Sequence, residues 1–261
     1  MEVALPWIDI LLQNVKEEYQ KKKPVITVTE PNIEDKQYIE KVLSEPIGFD
    51  ADKLIKKSLD FPLRKFQFDK YSILAYAYEI EDIEKWFRII RCLASDKPVR
   101  VLYFGNLLTR FLPKHDHPIA PINVNGGYTQ ICSLTSIVIY RKEDAERVLI
   151  HESLHGLCSD PDLPIAHLEA NTEAWAEIIW TAFKAKGVKA TWSRLMKKQI
   201  EYALNQSNYV EENHGVEDHT DYGWRYIRGR IDVWRSLGLS VDIPYKKVAV
   251  KTLRLTDPTL R

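Results

Sequence analysis

Apolar residues recur at helical spacing through the middle of the chain. Ile80, Ile83, Phe87, Ile90 and Leu93 fall three or four apart and predict a packed helix ending near Ser95-Asp96-Lys97-Pro98. Residues 99–104 form a short β-branched and aromatic run closed by Gly105, the pattern of a buried strand. A loop with Pro113, Pro118 and Pro121 follows, then two more strand-like runs over 128–132 and 136–140. The helical period returns over 141–157 and 167–184, and an apolar helix is expected over 227–237. Residues 1–70 read as a mostly helical accessory region, a prodomain or docking surface. It has one amphipathic helix over 3–19, stopped by Lys21-Lys22-Lys23-Pro24, and another over 33–43 capped by Asn32. Residues 71–261 would then form the main domain.

Composition narrows the class. Hydrophobic residues make up 45% and charged residues 28%, with seven Trp and thirteen Tyr, enough to fill a sizeable globular core. Lys plus Arg and Asp plus Glu number 37 each, so no net charge draws the chain to nucleic acid or anionic lipid. The first residues lack the basic start of a signal peptide, and the apolar stretch over 8–12 is too short and too polar to span a bilayer. Cys92, Cys132 and Cys158 are few, odd in number and far apart. They read as reduced core thiols of an intracellular, cytoplasmic protein, with a disulfide between two of them left open as the alternative.

Chemistry enters at His151-Glu152-Ser153-Leu154-His155. Histidines four apart on a helix project from one face, as two nitrogen ligands of a tetrahedral zinc must. Glu152 lies beside them, placed to take a proton from a zinc-bound water. Leu149, Ile150, Leu154 and Leu157 form a separate apolar arc, so the helix can bury one side and aim its ligands from another. A catalytic zinc needs a third protein ligand. Glu169, Glu173 and Glu177 form a stripe at spacings of four, opposite Leu168, Trp175, Ile179, Ala182 and Phe183. Alone such a stripe is a solvated face; beside a two-histidine helix it can supply the missing ligand.

These residues resemble the gluzincin metallopeptidases, zincin-fold enzymes in which H-E-x-x-H is followed by a helix bearing a glutamate ligand. Glu173-Ala174-Trp175-Ala176-Glu177 is similar to that second helix, and to the E-x-x-A-E segment of anthrax-lethal-factor-like enzymes. The resemblance runs from about residue 80 to 184. It implies an α+β fold with a small mixed sheet, an edge strand, the active-site helix and the second glutamate-bearing helix, flanked by mostly helical additions. It implies one Zn2+ per chain on His151, His155 and Glu173, with Glu152 as general base. Glu177 would hydrogen-bond His151 from behind, and Glu169 is the rival ligand. The substrate would be a peptide or protein lying along the edge strand near Asn125-Gly126-Gly127-Tyr128, although an ordinary hairpin turn explains those glycines as well.

Beyond the second helix, His219 and Tyr222 are candidates to donate to the oxyanion, a role equally open to being a polar helix start with core tyrosines. His115 and His117 flank Asp116 and read as loop residues; Cys158 reads as a core thiol. Two other readings stay open. One is a catalytically silent zincin-fold binding or structural zinc protein, which gives Glu152 no task. The other is a metal-free helical interaction protein.

Overall fold

The computed structural model describes residues 5–45, 51–244 and 247–260. Its elements are α1 (Pro6–Gln20), β1 (Thr27–Thr29), α2 (Ile33–Ser44), α3 (Ala51–Ser58), β2 (Leu63–Phe68), β3 (Tyr71–Tyr76), α4 (Ile83–Ala94), β4 (Val99–Phe104) and α5 (Pro121–Val124). There follow β5 (Gly127–Tyr128), β6 (Ile137–Ile139), α6 (Ala145–Gly156), α7 (Ile165–Lys184), α8 (Lys189–His214), a π-helical turn (Trp224–Arg228) and α9 (Gly229–Ser236). The fold is α+β. Two compact units divide the chain: residues 22–109 with 126–159, and residues 1–21 with 110–125 and 160–261.

The first unit is built on a six-stranded sheet ordered β1-β2-β3-β4-β6-β5. β4 pairs parallel with β3 on one side and β6 on the other. A strand in that position is covered on both faces, which is why residues 99–104 are almost continuously apolar and buried. β5 pairs antiparallel with β6 and ends the sheet beside α6. The strand expected over 128–132 is shorter than its pattern, because Cys132 turns the chain with a positive φ of 64°. β2 and β3 form an antiparallel hairpin that the sequence pattern concealed. Asp69, at φ 53°, makes the turn between them. The accessory region is therefore part strand, and β1 extends the same hairpin.

Helix boundaries follow local chemistry. Asn32 caps α2 as expected, accepting from Asp35 N at 2.8 Å while the Asp35 carboxylate accepts from Asn32 N at 3.0 Å. The first helix begins at Pro6, a favoured first-turn residue; the expected start at residue 3 lies outside the described residues. α6 begins at Ala145 rather than at 141. Arg141 instead turns inward, its Nη1 donating to Leu108 O at 3.1 Å and Thr109 O at 3.0 Å.

The second unit is helical and centred on α7, against which α1, α8, α9 and the π-helical turn pack. Trp7 meets Trp175 edge-on at 5.2 Å between ring centroids, and Trp234 Nε1 donates to Ala174 O at 3.2 Å. The helix expected over 227–237 is split into the π-helical turn and α9. Gly229 sits at the join, where a Cβ would lie 2.7 Å from that of Ala170 on α7, so only glycine permits this approach. No helix among the described residues is long and apolar enough to cross a membrane.

Candidate metal centre

α6 carries His151, Glu152 and His155, all buried. Its apolar residues Leu149 and Ile150 are buried too, so the helix is enclosed on its ligand side as well as on its core side. The one-turn spacing brings the two imidazoles together. Nε2 of His151 and Nε2 of His155 stand 3.2 Å apart, with ring planes inclined at 75°. Two nitrogens each bound at 2.0–2.1 Å to one tetrahedral zinc lie about 3.3 Å from each other. The pair thus has the separation that a shared cation requires, and the donor set fits zinc.

Glu152 faces β5. A Cβ built on Gly127 would lie 3.1 Å from Glu152 Oε1, 2.6 Å from Val148 Cγ1 and 2.7 Å from Val138 O. Glycine at this position lets the edge strand close against the helix that bears the base. Next along β5, the Tyr128 phenol is pushed well above its ordinary pKa, chiefly by burial and further by the acidic groups around it, Glu152 included. It stays protonated, hence a donor.

The far end of α6 is tied down. His155 O accepts from Cys132 N at 3.0 Å and from Cys158 N at 3.2 Å, and the two cysteines are joined by a disulfide. The expectation of core thiols is corrected here: Cys132 and Cys158 are exposed and oxidised, and only Cys92 carries a thiol. Both have positive φ, 64° and 59°, at tight turns where the chain reverses and meets itself. The argument for an intracellular location from three reduced thiols falls with it. Gly156 completes the junction, since a Cβ there would sit 3.0 Å from Leu134 Cδ2 and 3.1 Å from Ser133 O.

In the helical unit, α7 bears the acidic stripe, and it is no solvated face. Glu169 is half-buried, Glu173 is 3% exposed and Glu177 is 0% exposed. Carboxylates so enclosed need cations or hydrogen-bond donors around them. Arg230 Nη1 stands 3.7 Å from Glu177 Oε2. Tyr222 donates its hydroxyl to Asn125 Oδ1 at 2.8 Å and lies 3.3 Å from the hydroxyl of Tyr226. Burial, then Glu169 and Tyr222, then Glu173 hold the Tyr226 phenol well above its ordinary pKa. Burial chiefly raises Tyr222 as well. Tyr226, one helical turn from Tyr222 in the same polar cluster of the sequence, joins this constellation. His219, by contrast, is exposed, and its ring packs against His167 at 5.2 Å and Trp224 at 6.4 Å. His115 is exposed and pairs with its neighbour Asp116 at 2.7 Å, as a loop residue would.

Compared with known proteins, the chain matches no family model, no curated protein and no solved structure.

Proposed function

We propose that this protein is a zinc-dependent peptidase of zincin type. The observation that carries the reading is the His151–His155 nitrogen pair at 3.2 Å with the Glu152 carboxylate on the same helix. A purely structural zinc has no use for a base beside it. The third ligand in this reading is Glu173, by resemblance to gluzincins. Its rival is Glu169, one turn earlier on α7.

When bound, zinc would acidify a water ligand and polarise the scissile carbonyl. The chain's own residues do the rest. His151 and His155 hold their ring nitrogens at the cation's spacing before it arrives. Glu152 takes the proton of the attacking water and delivers it to the leaving amine. Gly127 and Tyr128, in the last strand of the sheet, are placed to pair with an extended peptide backbone. Tyr222 and Tyr226 keep their phenolic protons and supply donors for developing negative charge, with Tyr222 the assigned one and His219 its alternative.

A mixed peptide library incubated with zinc-loaded protein tests the reading. The Glu152→Gln variant should bind as much zinc as wild type and lose about a hundredfold or more in turnover, as removal of a general base does. Unchanged turnover at equal zinc content would sink it.

A further inference from the structure

We propose that the Cys132–Cys158 disulfide is a redox control on the metal centre: closed, it fixes the end of α6 that carries His155, and opening it with a thiol reductant weakens the hold on zinc. This control rests on the zinc reading above, and it is built wholly from residues of the sheet unit.

The last carbonyls of α6 are closed by a pattern that glycine usually completes. Cys158 N donates to His155 O at 3.2 Å and Ser159 N donates to Leu154 O at 3.4 Å, the paired bonds of a left-handed helix stop. The left-handed residue of such a stop is most often glycine; here it is Cys158, at φ 59°. Cys132 occupies the same region at φ 64° and donates its N–H to the same His155 carbonyl at 3.0 Å. A side chain disfavours that region by about five- to thirtyfold at each residue. The hydrogen bonds to His155 O favour the arrangement and the two side chains oppose it. The covalent link between them decides the outcome.

The carbonyl that receives both cysteines belongs to a proposed metal ligand. Through it the helix end is tied to the loop 129–136, which is braced on its own account. Thr129 Oγ1 donates to Ser133 O at 3.1 Å, Ser136 Oγ donates to Ser133 O at 3.2 Å, and Arg100 N, on β4, donates to Leu134 O at 3.0 Å. The loop is therefore the fixed side of the junction, and the end of α6 is the side that yields when the link opens. Unwinding there carries the His155 ring away from that of His151 one turn back, whose Nε2 now stands 3.2 Å from its own. Both cysteines are exposed, so a reductant reaches the bond from solvent. A thiolate of a dithiol displaces one cysteine sulfur, and the reagent's second sulfur then displaces the reagent from the mixed disulfide. Two electrons and two protons pass to the cysteines, and the reagent closes into its own disulfide.

The test is the zinc affinity of oxidised and reduced protein, measured by competition with a chromophoric chelator well below the unfolding temperature of each form. The dithiol is removed by gel filtration without oxygen before zinc is added, and titratable thiols should have risen from one per chain to three. Zinc should then bind about fivefold more weakly or worse, because only chains that keep the helix stop offer the paired nitrogens. The double variant Cys132→Ser, Cys158→Ser has no sulfur at either place and should match reduced protein. The double variant Cys132→Gly, Cys158→Gly enters the left-handed region without penalty and should bind zinc more tightly than the serine pair. Reduced protein that binds zinc as tightly as oxidised protein or more tightly, or a glycine pair no better than the serine pair, would overturn the proposal. The oxidised and reduced forms of the wild type need no substitution, so their comparison stands even where a variant does not fold. Oxidised wild-type protein that binds no zinc would sink the zinc reading and this control with it. Zinc that binds the wild type tightly and ignores the state of the bond sinks the control alone.

Discussion

One methyl group added at Gly127 should disturb the sheet and the base together. Its Cβ would stand 2.6 Å from Val148 Cγ1 and 2.7 Å from Val138 O, where carbon contacts settle at about 3.5–4.0 Å. Neither neighbour yields easily. Val138 O is backbone of the paired strand β6, and Val148 is a β-branched residue on a helix with about one favoured rotamer. β5 must therefore shift by about 1 Å, at a cost of about 1–3 kcal/mol typical of overpacking. Replacing glycine by alanine stiffens the unfolded chain and offsets about 0.4–1 kcal/mol of that. A net loss of about 1–2 kcal/mol lowers the unfolding temperature by roughly 2–8 °C in a chain of this size. The third neighbour is Glu152 Oε1 at 3.1 Å, so the base moves as well. A misplacement of about 1 Å at a reacting group costs on the order of a hundredfold in turnover. Scanning calorimetry and peptide turnover at measured zinc content check both parts. Gly127→Ala with wild-type stability and turnover would refute the packing of β5 against α6.

Other consequences can be checked in the same way. The Cys132–Cys158 bond closes a loop with a sequence separation of 26, which chain entropy values at about 3.5 kcal/mol. Reduction by a dithiol should therefore lower the unfolding temperature, and an unchanged value once thiol titration shows the bond open would contradict this. Glu173→Ala should weaken zinc strongly and Glu177→Ala by about ten- to a hundredfold. If Glu169→Ala empties the site while Glu173→Ala leaves it full, the ligand lies one turn earlier. Tyr222→Phe should lower turnover with zinc content and Michaelis constant nearly unchanged, whereas the exposed His219 should tolerate alanine. The raised phenol pKa values of Tyr128, Tyr222 and Tyr226 give a further test. The folded state holds these protons where the unfolded chain releases them, so their stabilisation is complete below about pH 10 and is lost as pH rises through the folded values. Tyrosinate absorbance of the native protein should lag that of the denatured protein above pH 10.

What could be read in advance was local. The β4 run and the histidine pair on α6 depend on short-range periodicity, and the capping of α2 depends on Asn32 and Asp35 three residues apart. What could not be read depends on distant partners. The β2–β3 hairpin mixes Arg64, Lys65 and Gln67 into its first strand, which blurs alternation and removes the apolar signal. Three scattered cysteines give no hint of which two meet, since the meeting point is set by the turn at Cys132 and the end of α6. The acidic stripe on α7 looks solvated by pattern, and its burial becomes sensible only once Arg230 on α9 stands beside Glu177. The π-helical turn at Trp224–Arg228 leaves no periodic trace that separates it from α9.

The zinc seat itself is tested most directly by calorimetric titration of metal-stripped protein with zinc. Nitrogens already 3.2 Å apart should take up one zinc per chain, with His151→Ala and His155→Ala each abolishing uptake. A wild-type chain that takes up no zinc, or uptake that survives in both variants, would contradict the account.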